Sequence, residues 1–267
     1  MPGRPSAIMA AVTKACVRPA VPGGNSLPPP RRFVTSNELK ELLMGITPHL
    51  EQKLRDLGYE NHCFVSYPRI RNQDGEVDFA HPINQCALRV KEAIERRLAF
   101  SIPPHVFMDT GMRPAVDWEP TLKRALCKSL VMVAVCAGIY YHPSHRWCGL
   151  EWAWMDALGS RRLRGSGFGT IVPLMIKVES SLPETVLRPQ RIDISRAWVQ
   201  GPRYYSTNKF REYVGQIVAH IENVADAVTQ SQARTDCRAF DFPQESAFAG
   251  WEPAGQAFPF RNEGGEA

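Results

Sequence analysis

Leu130-Val131-Met132-Val133-Ala134-Val135-Cys136-Ala137 is apolar at every position. An edge strand, or one facing water on one side, would alternate, so an unbroken run of this length predicts a central strand covered on both faces. The segments around it alternate in type. Upstream, His62–Tyr67 is a short apolar run that predicts a buried strand, and Asn84–Ala99 carries Ala87, Val90, Ile94 and Leu98 on one helical face. His105–Met108 gives a second short strand after a Pro-Pro pair. Trp118–Lys128, capped by Asp117, carries Leu122, Ala125 and Leu126 at helical spacing. Downstream come a helix over Ser144–Leu158, strands over Thr170–Val178 and Arg191–Ser195, and a helix over Thr207–Val228. Its apolar face is Phe210, Val214, Ile217, Ile221 and Val228. Five strands alternating with helices predict an α/β fold with a parallel five-stranded sheet and helices on both faces.

In such sheets ligands bind beyond the carboxyl ends of the strands, which directs attention to 66–80, 109–117, 138–151 and 179–190. Outside the sheet region the chain changes character. Residues 1–32 hold seven of the 22 prolines and predict a disordered arm. Residues 33–59 predict a helical extension. Thr35 and Glu38 form a capping box before Leu39, Leu42 and Leu43, and Thr47-Pro48 starts a second helix with Leu50, Leu54 and Leu57, stopped by Gly58. The main domain spans 60–230. Residues 231–267 are rich in Gly, Pro, Gln and Glu and predict a tail. Its six aromatics, Phe240, Phe242, Phe248, Trp251, Phe258 and Phe260, favour a segment draped on the domain over a partner-docking motif.

Composition excludes several classes of function. The chain has 267 residues, 44% hydrophobic and 22% charged, ordinary values for a globular protein. The longest apolar run, Leu130–Tyr141, is too short for the ~18–20 residues of a spanning helix, and no secretory h-region is visible, so no membrane partner is expected. The net charge of +5 concentrates in the basic arm (Arg4, Lys14, Arg18, Arg31, Arg32), and no basic stripe with interleaved aromatics marks a nucleic-acid binder. Seven cysteines are scattered without a CxxC pair. They read as small core residues in a reducing, cytoplasmic compartment and not as a disulfide framework.

Several chemical motifs fail on spacing. Gly165-x-Gly167-x-Gly169 precedes a strand where a dinucleotide loop must follow one, and no Walker A loop or GxSxG elbow occurs. His142, His145 and Cys148 invite a zinc reading, but no further pair completes four ligands, so no metal is expected. The segment Ser144-His-Arg-Trp147-Cys148-Gly-Leu-Glu151 is more informative. Helical spacing sets Trp147 and Trp154 on the same face as Glu151, and a carboxylate desolvated there has its pKa raised. A glutamate at the edge of an amphipathic helix is the alternative on spacing alone.

Four ordered segments carry a resemblance. His62-Cys-Phe64-Val-Ser66-Tyr67, Phe107-Met-Asp109-x-Gly111 with Trp118 seven residues on, Leu126-x-x-Ser129, and Trp147-Cys148-x-x-Glu151 resemble the boxes of a TIR (Toll/interleukin receptor) domain over about 60–228. The resemblance implies a flavodoxin-like fold. It also implies the activity of the family's NAD-cleaving, bacterial-type branch: scission of the nicotinamide–ribose bond by a glutamate, here Glu151. It further implies Phe64, Ser66 and Tyr67, or their immediate successors, as residues facing the substrate, and Asp109–Val116 as the mobile loop used in TIR–TIR assembly. The connection Pro68–His81, extended and acidic at Asp74, Glu76 and Asp78, departs from the family pattern.

On charge and ring chemistry, Arg69 and Arg71 are candidate pyrophosphate partners, and Trp147 or Tyr67 a stacking surface. Asp109 and Trp118 complete the candidate substrate site. NAD enters as substrate, with no bound cofactor. The expected role is a hydrolase or cyclase acting as a defence effector or signal generator, self-associating or meeting other TIR domains and switched by a separate sensor protein. The competing class is a non-enzymatic TIR adaptor, which has no need of the carboxylate. A nucleoside deoxyribosyltransferase-like enzyme fits the WCxxE context less well.

Overall fold

Residues 49–99, 105–110, 118–142, 145–176 and 191–243 are described by a computed structural model. The apolar run becomes strand β3 (Ser129–Cys136), with all eight residues buried. It lies at the centre of a five-stranded sheet of order β2-β1-β3-β4-β5, with β1 at Asn61–Ser66, β2 at Val106–Met108, β4 at Ile171–Met175 and β5 at Ile192–Asp193. Every strand pair is parallel. This is the α/β, flavodoxin-like arrangement expected from the alternation of strand and helix.

Among the described residues, six α-helices accompany the sheet: α1 (49–56), α2 (Pro82–Leu98), α3 (Trp118–Cys127), α4 (Arg146–Arg162), α5 (Ser195–Gln200) and α6 (Asn208–Gln230). The period of two along each strand sorts the core into two clusters. Cys63, Val65, Val131, Val133 and Val135 pack with α1, α2 and α6, whereas Phe64, Met132, Ala134 and Cys136 pack with α3 and α4. Ser66 follows Phe64 by two residues, so it too is directed toward α4.

Local chemistry explains where element boundaries differ from expectation. Helix α2 begins two residues earlier than the apolar spacing suggests. Pro82 occupies its first turn and the His81 ring accepts from Ile83 N. Strand β5 is only two residues long, because Asp193 Oδ1 accepts from Ser195 N at 2.8 Å and turns the chain into α5. Gly58, at φ +93°, ends α1 where a left-handed residue is required, and Thr235 closes over it, with Thr235 N donating to Leu57 O at 2.9 Å.

The cysteine reading needs correction. Cys127, at the end of α3, forms a disulfide with Cys237, 110 residues away and with Cα atoms 5.8 Å apart. Spacing along the chain carries no trace of a pair brought together only by the fold. Cys63, Cys86, Cys136 and Cys148 are buried and form no disulfide among the described residues, as the core reading has them. The disulfide also fixes part of the C-terminal segment. Trp154 Nε1 donates to Pro243 O at 2.9 Å, and the buried Phe242 meets the Trp154 ring edge-on at 5.5 Å. Residues 235–243 are therefore draped on α3 and α4. Arg162, buried at the end of α4, donates to the carbonyls of Cys127 and Ser129. The arm 1–32, the first expected helix (35–45), most of the loop 109–116 and the tail beyond 243 lie outside the described residues. No helix among those described is long and apolar enough to cross a membrane.

Candidate active site

In a sheet of order 2-1-3-4-5 the connections leave in opposite directions from β1 and β3, opening a crevice beyond the carboxyl ends of those two strands. Ser66 is the last residue of β1. After β3 the chain makes a 3-10 turn, Gly138–Tyr141, and enters α4 five residues later. Glu151 sits in the second turn of α4, and Ser66 Oγ donates to Glu151 Oε2 across the crevice. The same Ser66 Oγ lies 2.7 Å from the Tyr140 hydroxyl. Ser66, Tyr140 and Glu151 are all buried.

Burial is the main force on Glu151, pushing its carboxyl up to about 7. The Ser66 hydrogen bond and the Arg69 charge oppose that rise, and the Asp109 charge adds to it. Burial likewise pushes the Cys148 thiol and the Tyr140 phenol well above their usual values. Both therefore stay protonated around a carboxyl that titrates near neutrality.

A second carboxylate closes the other side. Asp109 follows β2 directly and is buried; Arg69 Nη1 stands 2.7 Å from its Oδ2. The guanidinium N–H groups are not aligned on it as hydrogen bonds, and neither Asp109 oxygen accepts one among the described residues. Tyr67 Oη donates to the Asp109 backbone carbonyl at 3.0 Å. The Arg69 guanidinium also lies 5.4 Å from the Trp118 ring, within cation–π range. Trp118 meets Trp147 edge-on at 3.8 Å, and Trp147 meets Trp154 at 6.5 Å.

Arg69 owes its position to Asn84, which spacing alone marked only as a helix start. Asn84 is fully buried. Its Nδ2 donates to Ile70 O and Asp78 O, both at 2.7 Å, and its Oδ1 accepts from Ile70 N at 3.1 Å. The acidic connection after β1 is thereby folded into a small hairpin closed by an Arg71–Val77 bridge.

The fold thus brings Ser66, Tyr67, Arg69, Asp109, Trp118, Trp147 and Glu151 to one end of the sheet. It does not bring Phe64 there. That ring is 1% exposed and stacks on Phe107 at 5.3 Å, one pleat below Ser66. Arg71 is also elsewhere, donating to the Gly75 carbonyl inside the hairpin. The two indoles expected to flank Glu151 contact each other, Trp118 and Phe242, so the carboxyl is desolvated by the crevice as a whole. Tyr140 belongs to none of the sequence motifs; its only signal is a Tyr-Tyr pair shortly past the central strand.

Comparison of the chain with protein-family models, with curated proteins and with solved structures gives no match. Fold and site define an α/β protein with a buried, near-neutral carboxyl at the topological switch point of a parallel sheet.

Proposed function

We propose that this chain is a TIR-type enzyme that cleaves NAD at the nicotinamide–ribose bond, with Glu151 as the catalytic carboxylate. The observation that carries the reading is the buried Glu151 at the β1/β3 switch point, hydrogen-bonded by Ser66. In the proposed step the C1′–N bond breaks and its electron pair leaves with nicotinamide, which departs neutral from a cationic pyridinium. Positive charge then develops on the ribose. A carboxylate preorganised in a low-dielectric crevice stabilises that charge and accepts from a ribose hydroxyl. The approaching pyridinium itself favours the ionised form of Glu151, as any nearby cation does.

In this reading Arg69 meets the pyrophosphate; the Trp118 ring beside it and Trp147 packed on Trp118 supply aromatic surface. Attack of water at C1′, with loss of a proton, completes hydrolysis; attack by a nitrogen of the same substrate gives a cyclic product. In the setting this reading implies, the protein is a cytoplasmic effector or signal generator in innate antiviral defence. It assembles with copies of itself or with other TIR domains and answers to a separate sensor. In a reducing cytoplasm Cys127 and Cys237 are expected to stand as thiols, leaving the segment 235–243 to the Trp154–Pro243 hydrogen bond and Phe242.

The test is incubation of the purified protein with NAD, with and without a crowding agent, and resolution of the products by mass. Release of nicotinamide by the wild type, lost in Glu151→Gln, supports the reading. Equal consumption by both removes Glu151 from catalysis, and consumption by neither turns the proposal toward the adaptor class.

A further inference from the structure

We propose that Tyr140 is a positioning residue for Glu151: acting through Ser66, its hydroxyl sets the direction of the hydrogen bond that the carboxyl receives, and with it the pH at which the carboxylate forms. This rests on the reading of Glu151 as the catalytic group, but it concerns a residue that reading does not use.

The number of protons limits which way the hydrogen bonds can run. Ser66 Oγ has one proton and touches two groups, Tyr140 Oη at 2.7 Å and Glu151 Oε2. An ionised carboxylate only accepts, so Ser66 must then donate to Glu151 and receive from Tyr140. A protonated carboxyl can donate, and the chain can run the other way. A phenol that holds its proton and points at Ser66 therefore favours the ionised direction. Tyr140 is such a phenol, since burial keeps it protonated well beyond neutral pH.

The turn that carries Tyr140 is built to hold it. Tyr140 N donates to Ala137 O at 2.8 Å, and its ring, fully buried, packs edge-on against Trp152 at 6.5 Å. A tyrosine serving only as core filler has no reason to direct its hydroxyl at a hydroxyl that itself touches Glu151.

The other groups facing Glu151 come from each surrounding element. Arg69, after β1, favours ionisation; Asp109, after β2, opposes it. Cys148, on α4 itself, is a thiol that burial holds protonated, and Cys136, at the end of β3, is buried beside Tyr140 and Cys148. Among these, the Tyr140–Ser66 pair is the neutral relay that can reverse.

The experiment follows the Glu151 carboxyl directly, by 13C NMR of protein labelled at the glutamate δ-carbon, without NAD and with the signal assigned by Glu151→Gln. Tyr140→Phe should raise the titration midpoint by about 0.5–1 unit, the equivalent of one ordinary hydrogen bond. Replacing Tyr140 with 3,5-difluorotyrosine, a stronger donor of nearly the same shape, should lower it. The opposite sign separates the relay from any loosening of the core, and the fluorinated protein carries the test if Tyr140→Phe folds poorly. A midpoint unmoved by both changes, yet raised by Ser66→Ala, overturns the proposal. If wild-type protein consumes no NAD while the midpoints move as stated, the relay stands and the catalytic reading falls. If NAD is cleaved, the acid limb of its pH–rate profile should move with the midpoint.

Discussion

Arg69 Nη1 lies 2.7 Å from Asp109 Oδ2, so the segment leaving β1 is ion-paired to the residue that follows β2. The pair spans two adjacent strand ends, and Asp109 is almost wholly buried while Arg69 keeps some solvent access. It neutralises a charge beside Glu151 while leaving the Asp109 oxygens open to a hydrogen-bond donor.

Removing one partner should therefore cost more than removing both. Arg69→Met leaves Asp109 buried and uncompensated, which should lower stability by about 1–3 kcal/mol, less than for a fully dry pair because Arg69 is partly exposed. The double change Arg69→Met with Asp109→Asn should recover much of that loss. NAD cleavage should stay impaired in both, with a raised KM, if the guanidinium meets the pyrophosphate. Chemical denaturation of the two variants and a double-mutant cycle measure the coupling.

Glu151→Gln should behave oppositely in activity and in stability. Loss of the charge should lower NAD cleavage by roughly 100–1,000-fold, as for other preorganised electrostatic contacts. Burial holds the folded carboxyl at about 7, above its ordinary 4.5, so the folded state binds the proton more tightly than the unfolded state. That stabilisation is complete below about pH 4.5 and is lost as pH rises through 7. The glutamine variant carries no such loss. Relative to wild type it should gain on the order of 1–3 kcal/mol at pH 8 and little at pH 5. Unfolding curves at the two pH values check the sign, and a variant less stable at pH 8 would mark Glu151 as a structural anchor.

Trp147 stands between Trp118 and Trp154, so its ring has a packing role whatever it does for a ligand. Trp147→Ala should lower the melting temperature clearly and Trp147→Phe much less, since an aromatic face remains. If the ring also stacks on substrate, cleavage per folded molecule falls further in the alanine variant. Equal activity per folded molecule in both would leave Trp147 with packing alone.

The Cys127–Cys237 link closes a loop of 110 residues across α3, the sheet and α6. Loop closure on that scale is worth about 4–5 kcal/mol in the unfolded-chain picture, of which disulfides typically deliver roughly 2–4 kcal/mol. Reduction by a dithiol, or Cys237→Ser, should lower the melting temperature and expose Trp154 to solvent, seen as a red shift in its emission. An unchanged melting temperature and spectrum would show that Phe242 and Pro243 hold the segment unaided.

The sheet was legible because its causes are local. Eight apolar residues at 130–137 have no use except between two layers, and the helical spacing of residues 84–99 and 207–228 repeats often enough to outweigh any single position. Glu151 was legible for a related reason: it lies on the helix after the central strand, at a spacing that gives it a face with Trp147 and Trp154, in a segment that resembles a TIR box.

What only the tertiary structure decided were the relations between segments distant in the chain. Strand alternation puts Phe64 and Ser66 on one face, but which of them reaches the crevice depends on where β1 stops relative to β3. Tyr140 and Ser66 are 74 residues apart, and Cys127 and Cys237 are 110 apart. No periodicity links such pairs, because a hydrogen bond or disulfide needs only final proximity, which every intervening turn must help to set. Arg69 and Arg71 look alike in sequence. One turns to Asp109 and the other into a hairpin because Asn84 holds the backbone of Ile70 between them.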